Sequence, residues 1–91
     1  MSITIRIPAP LRSLTGNAQT VDGNGTCVSD CIDDLESRFP GVKERICDET
    51  SELRRFINIY VNGEDIRFLS GPQTPVKDGD ELSIVPAVAG G

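Results

Sequence analysis

The first apolar positions of the chain alternate with polar ones. Isoleucines at positions 3, 5 and 7 are separated by Thr4 and Arg6, which is the period-two pattern of a strand with one buried face. Pro8 and Pro10 predict the end of this strand. A short second strand is predicted over residues 18–21, because the turn-forming sequence Asp-Gly-Asn-Gly follows it.

A helical period comes next. Apolar residues recur at spacings of three and four and predict one helix with a single buried stripe: Val28, Cys31, Ile32, Leu35 and Phe39. Thr26 is predicted to cap the N-terminus of this helix, and Pro40-Gly41 is predicted to end it. The polar residues 42–55 predict a short helix or an irregular excursion.

The strongest strand signal lies at residues 56–61, where β-branched and aromatic residues dominate and the odd-numbered positions face inward. Asn62-Gly63 predicts a two-residue hairpin turn, because both residue types tolerate positive φ. Three further segments are predicted as a strand, a loop and a last strand: residues 64–68, 69–79 and 81–85.

The order of these elements predicts an α+β domain in which one main helix packs on one face of a mixed sheet. It fits a ubiquitin-like β-grasp fold of about five strands, with the first and last strands side by side and parallel. The domain is predicted to span residues 1–85, and residues 86–91 are predicted to form an extended C-terminal tail.

Composition and charge exclude several classes of function. The net charge is −5 and the nine basic residues are scattered, which argues against binding to nucleic acid. No stretch approaches the ~20 apolar residues of a membrane span, and the N-terminus lacks the features of a signal peptide. We therefore expect a cytoplasmic protein with neither nucleic acid nor a membrane as partner.

The usual catalytic and metal-binding groups are scarce. The chain has no histidine, so the commonest general base near neutral pH is absent. Cys27 and Cys31 lie four apart on the predicted helix, but two thiolates without further ligands do not make a zinc site, so we predict no metal site. We interpret Cys27, Cys31 and Cys47 as buried or half-buried small residues, and a redox or persulfide-accepting role for one of them stays open. We predict no catalytic residue and no bound cofactor, and we interpret the chain as a protein on which enzymes act.

The remaining candidate for chemistry is the end of the chain, Gly90-Gly91. Six extended residues span up to about 20 Å, which suits entry into a narrow channel on another protein. Glycines without Cβ let the backbone pass a constriction and let reagents reach the terminal carbon. A carboxylate is a poor electrophile, but adenylation with ATP supplies a leaving group, and a sulfur nucleophile that displaces AMP leaves a thiocarboxylate.

The sequence resembles the ThiS/MoaD family of sulfur carriers over essentially its whole length. Besides the opening strand and the helix, three motifs and the terminal Gly-Gly carry the resemblance: Leu11-Arg12-x-Leu14-Thr15-Gly16, Ile59-Tyr60-Val61-Asn62-Gly63-Glu64-Asp65-Ile66-Arg67 and Lys77-Asp78-Gly79-Asp80-Glu81-Leu82. The strand-Asn-Gly and Asp-Gly-Asp segments also occur in unrelated hairpins, but the order, length and terminal placement of the motifs together are specific. Within the family, residues 56–68 and the tail are most similar to CysO-type carriers.

The resemblance implies that Gly91 is adenylated by an E1-like enzyme that consumes ATP, and is then thiocarboxylated. It also implies that Gly90, Ala89 and Val88 are recognised as the tail. CysO-type carriers deliver sulfide to an activated serine derivative on a cysteine synthase, and a metal-dependent peptidase then releases the new amino acid. Two alternatives stay open. One is the small subunit of molybdopterin synthase, whose tail inserts into a large subunit, and the other is a ubiquitin-like protein modifier.

The surface that docks the activating enzyme has two interpretations. Phe56, Tyr60 and Phe68 either fill the edges of a small core or form an exposed apolar patch on the sheet face away from the helix. The sequence leaves both interpretations open.

Overall fold

Five strands form one mixed sheet in the computed structural model of the chain, which describes residues 2–50, 52–54 and 57–86. The strands are β1 Ile3–Arg6, β2 Thr20–Gly23, β3 Ile57–Val61, β4 Glu64–Asp65 and β5 Glu81–Pro86. Their order across the sheet is β2-β1-β5-β3-β4. Because β1 and β5 lie side by side and parallel while the other neighbours are antiparallel, the predicted β-grasp arrangement is confirmed.

Two α-helices, α1 Val28–Arg38 and α2 Val42–Ile46, accompany the sheet. The main helix α1 buries the predicted stripe, and Phe39 packs against the core from just beyond its end. Short 3₁₀ helices cover three further segments: Ala9–Leu14, Ile66–Phe68 and Gly71–Gln73. The excursion over residues 42–55 contains α2 and an isolated antiparallel bridge between Cys47 and Leu53, as the polar sequence predicted in outline.

The core lies between α1 and one face of the sheet. The inward positions of three strands meet the stripe of α1 there: Ile3, Ile5, Ile57, Ile59, Val61, Leu82 and Ile84. Each large aliphatic side chain that leaves water on folding contributes roughly 1.5–3 kcal/mol before the entropy of ordering it is subtracted. Along β1, β3 and β5 buried positions alternate with exposed or half-buried ones, so within the described residues the core lies on one face of the sheet.

The predicted N-cap of α1 is wrong. The cap position belongs to Cys27, one residue later than Thr26, and no side chain caps the helix from there. Instead, the carboxylate of Asp30 in the first helical turn accepts hydrogen bonds from the Thr26 hydroxyl (2.9 Å) and backbone N–H (3.2 Å). Those two bonds hold the pKa of Asp30 below its usual value. The N–H of Val28 donates to the carbonyl of Thr74 at 3.0 Å, so a distant loop supplies one acceptor that the helix start needs.

Three predicted strands also change their boundaries. The second strand begins at Thr20 rather than residue 18 and continues to Gly23, while the last strand extends one residue past its predicted end, to Pro86. The predicted strand over residues 64–68 is wrong beyond Asp65, since the chain turns there into a 3₁₀ helix. The division between the domain and the tail stays a prediction, because residues 87–91 lie outside the described part of the chain.

Candidate functional site

The residues predicted for the chemistry and its recognition lie beyond the described part of the chain. These are Gly91, Gly90, Ala89 and Val88, and the last described residue is Pro86 at the end of β5. What the structure shows is the base from which the C-terminal segment begins. We call Val85 and Pro86, together with their partners on β3, Ile57 and Asn58, the tail root.

The tail root sits at the end of the central strand of the sheet. β5 pairs with β1 on one side and with β3 on the other. Its inward residues Leu82 and Ile84 are buried in the core, so β5 cannot slide without losing two ladders and two apolar contacts. The five residues that follow Pro86 can extend at most about 18 Å from this fixed point.

The hydrogen-bond register explains why a proline can end this strand. The N–H of Asn62 donates to the carbonyl of Glu81 at 2.8 Å, which makes that pair a hydrogen-bonded one. In antiparallel ladders hydrogen-bonded and non-hydrogen-bonded pairs alternate. Asn58 and Val85 therefore form a hydrogen-bonded pair, and Ile57 and Pro86 a non-hydrogen-bonded one. Pro86 has no N–H to donate, and at this position none is needed.

An arginine side chain binds the edge of β3 that faces away from β5, at residues Ile57 and Asn58. Nη2 of Arg67 donates to the carbonyl of Ile57 at 2.7 Å and to that of Arg54 at 3.3 Å, and Nη1 donates to Oδ1 of Asn58. The N–H of Ile57 donates to the Arg54 carbonyl at 3.0 Å. Because β4 ends at Asp65, the guanidinium occupies the edge of β3 that a longer β4 would cover.

Side chains also hold the opposite end of β5. One carboxylate oxygen of Asp80 accepts from the side-chain amide of Asn62 at 3.0 Å, and the other accepts from the backbone N–H of Lys77 at 2.9 Å. The Asn62 amide oxygen accepts from the N–H of Glu81 at 2.9 Å. The bond from Asn62, followed by the one from Lys77, lowers the pKa of Asp80. The sequence predicted a hairpin turn at Asn62-Gly63 and a separate loop over residues 69–79, and in the structure Asn62 and Asp80 link the two at the start of β5.

The sheet face away from α1 combines charge with apolar surface. Arg6 and Glu81 form an exposed ion pair at 3.1 Å, and Val85 is 40% exposed. Tyr60 is half-buried between two inward-facing neighbours on β3, while Phe68 is 88% exposed. The interpretation that Phe68 fills the edge of the core is therefore wrong, and the prediction for Phe56 falls outside the described residues.

The cysteines show no sign of a reactive site. Burial, with a smaller contribution from nearby Cys27 and acidic side chains, raises the pKa of Cys31 to about 11. Burial also raises the pKa of Cys47. Cys27 is half-buried, and all three residues are free thiols. Thiols with raised pKa are weak nucleophiles near neutral pH, because the thiolate is the reactive form.

A groove of about 570 Å³ lies beside α2, and Glu36, Lys43 and Arg54 are among the residues that line it. Three of its lining residues bond within the chain. The Glu36 carboxylate accepts from the N–H groups of Gly41 and Lys43, and Nε of Arg54 donates to the carbonyl of Glu44. We interpret these hydrogen bonds as contacts that hold α2 in its place in the fold.

In residues 2–50, 52–54 and 57–86, no group of three or more His, Cys, Asp or Glu side chains is placed to hold a metal ion. None of the helices in the same ranges is long and apolar enough to cross a membrane.

Comparison with known proteins gives a consistent match over the whole chain. The model of the ThiS family matches residues 5–91. The sulfur carrier protein CysO of Mycobacterium tuberculosis is 46% identical over 93 residues, and the alignment covers 100% of both chains. A chain of the BexX/CysO complex from Amycolatopsis orientalis superposes with a TM-score of 0.92 at 52% identity, covering 98% of this chain and 99% of that one.

A relative with a different name extends over the same length. Small archaeal modifier protein 3 of Haloferax volcanii is 33% identical over 94 residues, and the alignment covers 100% of both chains. The chain is therefore similar over its full length both to a protein named as a sulfur carrier and to one named as a modifier.

Proposed function

This chain belongs to the ThiS family, and we propose that it is a sulfur carrier whose Gly91 carboxylate is converted to a thiocarboxylate that donates sulfide in the biosynthesis of cysteine or a related sulfur amino acid. The observation that carries the proposal is the terminal Gly-Gly in a chain similar to CysO over its full length. The structure adds that the segment begins at the end of the central strand of the sheet.

The proposed reaction has two steps on the partner enzyme. A carboxylate oxygen of Gly91 attacks the α-phosphorus of ATP, pyrophosphate leaves, and an acyl adenylate forms. Hydrosulfide then adds to the terminal carbonyl carbon, AMP leaves, and a thiocarboxylate remains. If the nucleophile is instead a persulfide, the product is an acyl disulfide, and a second thiol must reduce its S–S bond to leave the thiocarboxylate and a disulfide on the donor. An E1-like adenylating enzyme binds and consumes ATP in this scheme, and the carrier itself holds no cofactor.

The thiocarboxylate then meets its acceptor. Its sulfur forms a bond to Cβ of an activated serine derivative held by a synthase of the cysteine type, and the activated side-chain oxygen leaves with its activating group. The carrier's acyl group then moves from the thioester sulfur to the amino nitrogen of the new residue, which frees the cysteine thiol. A metal-dependent peptidase hydrolyses the resulting amide after Gly91 and returns the free carboxylate. In both stages Gly90, Ala89 and Val88 pass through the narrow part of the partner's channel, because they carry only small side chains.

In this scheme the folded domain serves to present one reactive atom, the carboxyl carbon of Gly91, to the partner enzyme. The raised pKa of Cys31 and Cys47 argues against these thiols as the nucleophile. In this proposal sulfur comes from the partner or from a separate donor, and the carrier acts as a co-substrate. The partner supplies the catalysis and chooses the product.

Reconstitution tests the proposal directly. The chain is incubated with ATP, an E1-like enzyme of this family and a sulfur donor, and its intact mass is measured. We expect one oxygen to be replaced by sulfur, and we expect a variant that lacks Gly91 to keep its thermal unfolding transition but to gain no sulfur. If the truncated variant still carries sulfur, the proposal is wrong.

Two alternative functions, as the small subunit of molybdopterin synthase or as a protein modifier, predict different complexes or conjugates of this chain in cells. The molybdopterin-synthase alternative predicts a stable complex with a large subunit that co-purifies with the chain. The modifier alternative is favoured by the similarity to small archaeal modifier protein 3, and it predicts lysine-linked conjugates that resist thiol reagents. An amino acid attached to Gly91 supports the cysteine route over both.

A further inference from the structure

We propose that Arg67 is a positioning residue for the chemistry at the C-terminus. Its guanidinium holds the start of β3 in place, and the start of β3 pairs with the end of β5. The tail therefore leaves the domain from a fixed point. This inference rests on the proposed function, because it assigns to Arg67 a role in presenting Gly91 to the partner enzyme.

The geometry places Arg67 beside the tail root. Its two Nη atoms reach three acceptors, the carbonyls of Ile57 and Arg54 and the side chain of Asn58. Ile57 and Asn58 are the register partners of Pro86 and Val85, the last two described residues of β5. A single side chain therefore binds both β3 residues that flank the point where the strand ends.

The backbone at this point depends on that side chain. Ile57 and Pro86 form a non-hydrogen-bonded pair, so no hydrogen bond between them holds the last pair together. The carbonyl of Ile57 faces away from β5, toward an edge that β4 no longer covers after Asp65. Arg67 satisfies this carbonyl at 2.7 Å, and without it the edge of β3 would open to water.

The side chain is itself aimed by local structure. The Asp65 carboxylate accepts a hydrogen bond from the backbone N–H of Arg67 at 2.8 Å and so sets the start of the 3₁₀ helix Ile66–Phe68. Ile66 in this turn is buried in the core. Arg67 thus leaves a fixed piece of backbone and folds back over β3. Lysine cannot replace it, because an ammonium on a flexible stem lacks the planar fork that spans several acceptors.

Fraying of the tail root adds residues that must be ordered when the end of the chain enters the partner's channel. Each additional residue that must be ordered when the tail enters the partner's channel costs roughly a factor of 5 to 30 in binding. Loss of the Arg67 guanidinium should therefore raise KM for the carrier and leave kcat nearly unchanged, since no group at the reacting carbon is removed.

The test compares Arg67→Lys and Arg67→Met with a matched control, Arg38→Met. Arg38 is also an exposed arginine at the end of a helix, and it donates to the Asp22 carbonyl on β2, at the far edge of the same sheet. Two measurements are made on each variant: amide hydrogen exchange across the sheet, and the kinetics of thiocarboxylation by the E1-like enzyme. Asn58→Ala removes one of the three acceptors and gives an intermediate case.

Both Arg67 variants are expected to increase amide exchange at Asn58 and Val85 by roughly tenfold, while the β1–β2 amides stay protected. They are expected to raise KM about fivefold or more with kcat within about twofold of the parent. Arg38→Met should loosen the β2 edge only and leave both kinetic constants unchanged.

Three outcomes would overturn the inference. They are full recovery by Arg67→Lys, which would make charge alone sufficient, unchanged exchange at Val85 in either Arg67 variant, and increased exchange there with an unchanged KM. Failure of the proposed function is recognised separately, since sulfur would then be absent from the parent chain while the exchange measurement remains informative about Arg67.

Discussion

The loop between β2 and α1 passes so close to the helix that a single methyl group should disturb it. A Cβ built on Gly25 would lie 2.6 Å from Cβ of Asp30 and 2.9 Å from the backbone nitrogen of Cys31. Both atoms belong to the first turn of α1 and cannot rotate away. Gly25→Ala must therefore push the loop off the helix start, where Thr26 is hydrogen-bonded to Asp30.

The size of the effect follows from two opposing terms. Overpacking against fixed atoms costs typically about 1–3 kcal/mol, and replacing glycine by alanine lowers the entropy of the unfolded chain, which returns about 0.4–1 kcal/mol. The expected net loss is about 1–2 kcal/mol. For a domain of this size, that corresponds to a fall in Tm of about 4–16 °C.

Urea unfolding at neutral pH measures this loss, with an unchanged m-value expected because the fold is the same. Ser29→Ala serves as the control, since Ser29 lies in the same helical turn and a conservative change there should stay within about 0.5 kcal/mol. If Gly25→Ala is as stable as the parent, the close approach of loop and helix described here is wrong.

Three further predictions concern the core, the start of β5 and the thiols. Ile59→Ala, at a fully buried position of β3, should lose about 2–5 kcal/mol in urea unfolding, and a smaller loss would mean that the sheet–helix core closes around the gap. The lowered pKa of Asp80 means that its ionised form stabilises the fold above the ordinary carboxyl value, and that this stability is lost as pH falls through the lowered pKa. The stability difference between the parent and Asp80→Asn should therefore be largest near pH 7 and shrink toward pH 3, and a difference independent of pH would contradict it. Cys31 should react with iodoacetamide at pH 8 far more slowly than Cys27, because with a pKa of about 11 only about one Cys31 thiol in a thousand is ionised there; equal labelling in peptide mass spectra would refute this.

The fold could be predicted from the sequence because its signals are local and agree with one another. The alternation at residues 3–7 and 57–61 identifies two inner strands, and the stripe from Val28 to Leu35 identifies the face of α1 that they bury. One arrangement accommodates a parallel first and last strand with a single helix between them.

The departures come from contacts between residues far apart in sequence. The helix start takes an acceptor from Thr74, more than forty residues away, and so needs no Thr26 cap. The predicted strand after Gly63 stops at Asp65, because Asp65 binds the N–H of Arg67 and Arg67 turns back to β3. No periodicity in the sequence reports such a side-chain contact.

The candidate site also has a part that the sequence predicts and a part that only the structure shows. The terminal glycines are visible in the sequence because they stand at the end of a chain with no competing reactive group. Arg67 gives no such signal, since an arginine after a hairpin has the same appearance as a solvated surface charge. Only its three acceptors on and beside β3 distinguish it.

The chemical state of the C-terminus in native cells tests the proposed function most directly. The chain is isolated from cells that express it, and the mass of its C-terminal peptide is measured under conditions that preserve thioacids. We predict a fraction in which one oxygen of the Gly91 carboxylate is replaced by sulfur, together with an adduct of cysteine or a related amino acid. A C-terminal peptide found only as the free acid, in cells that actively assimilate sulfur, would contradict the proposal.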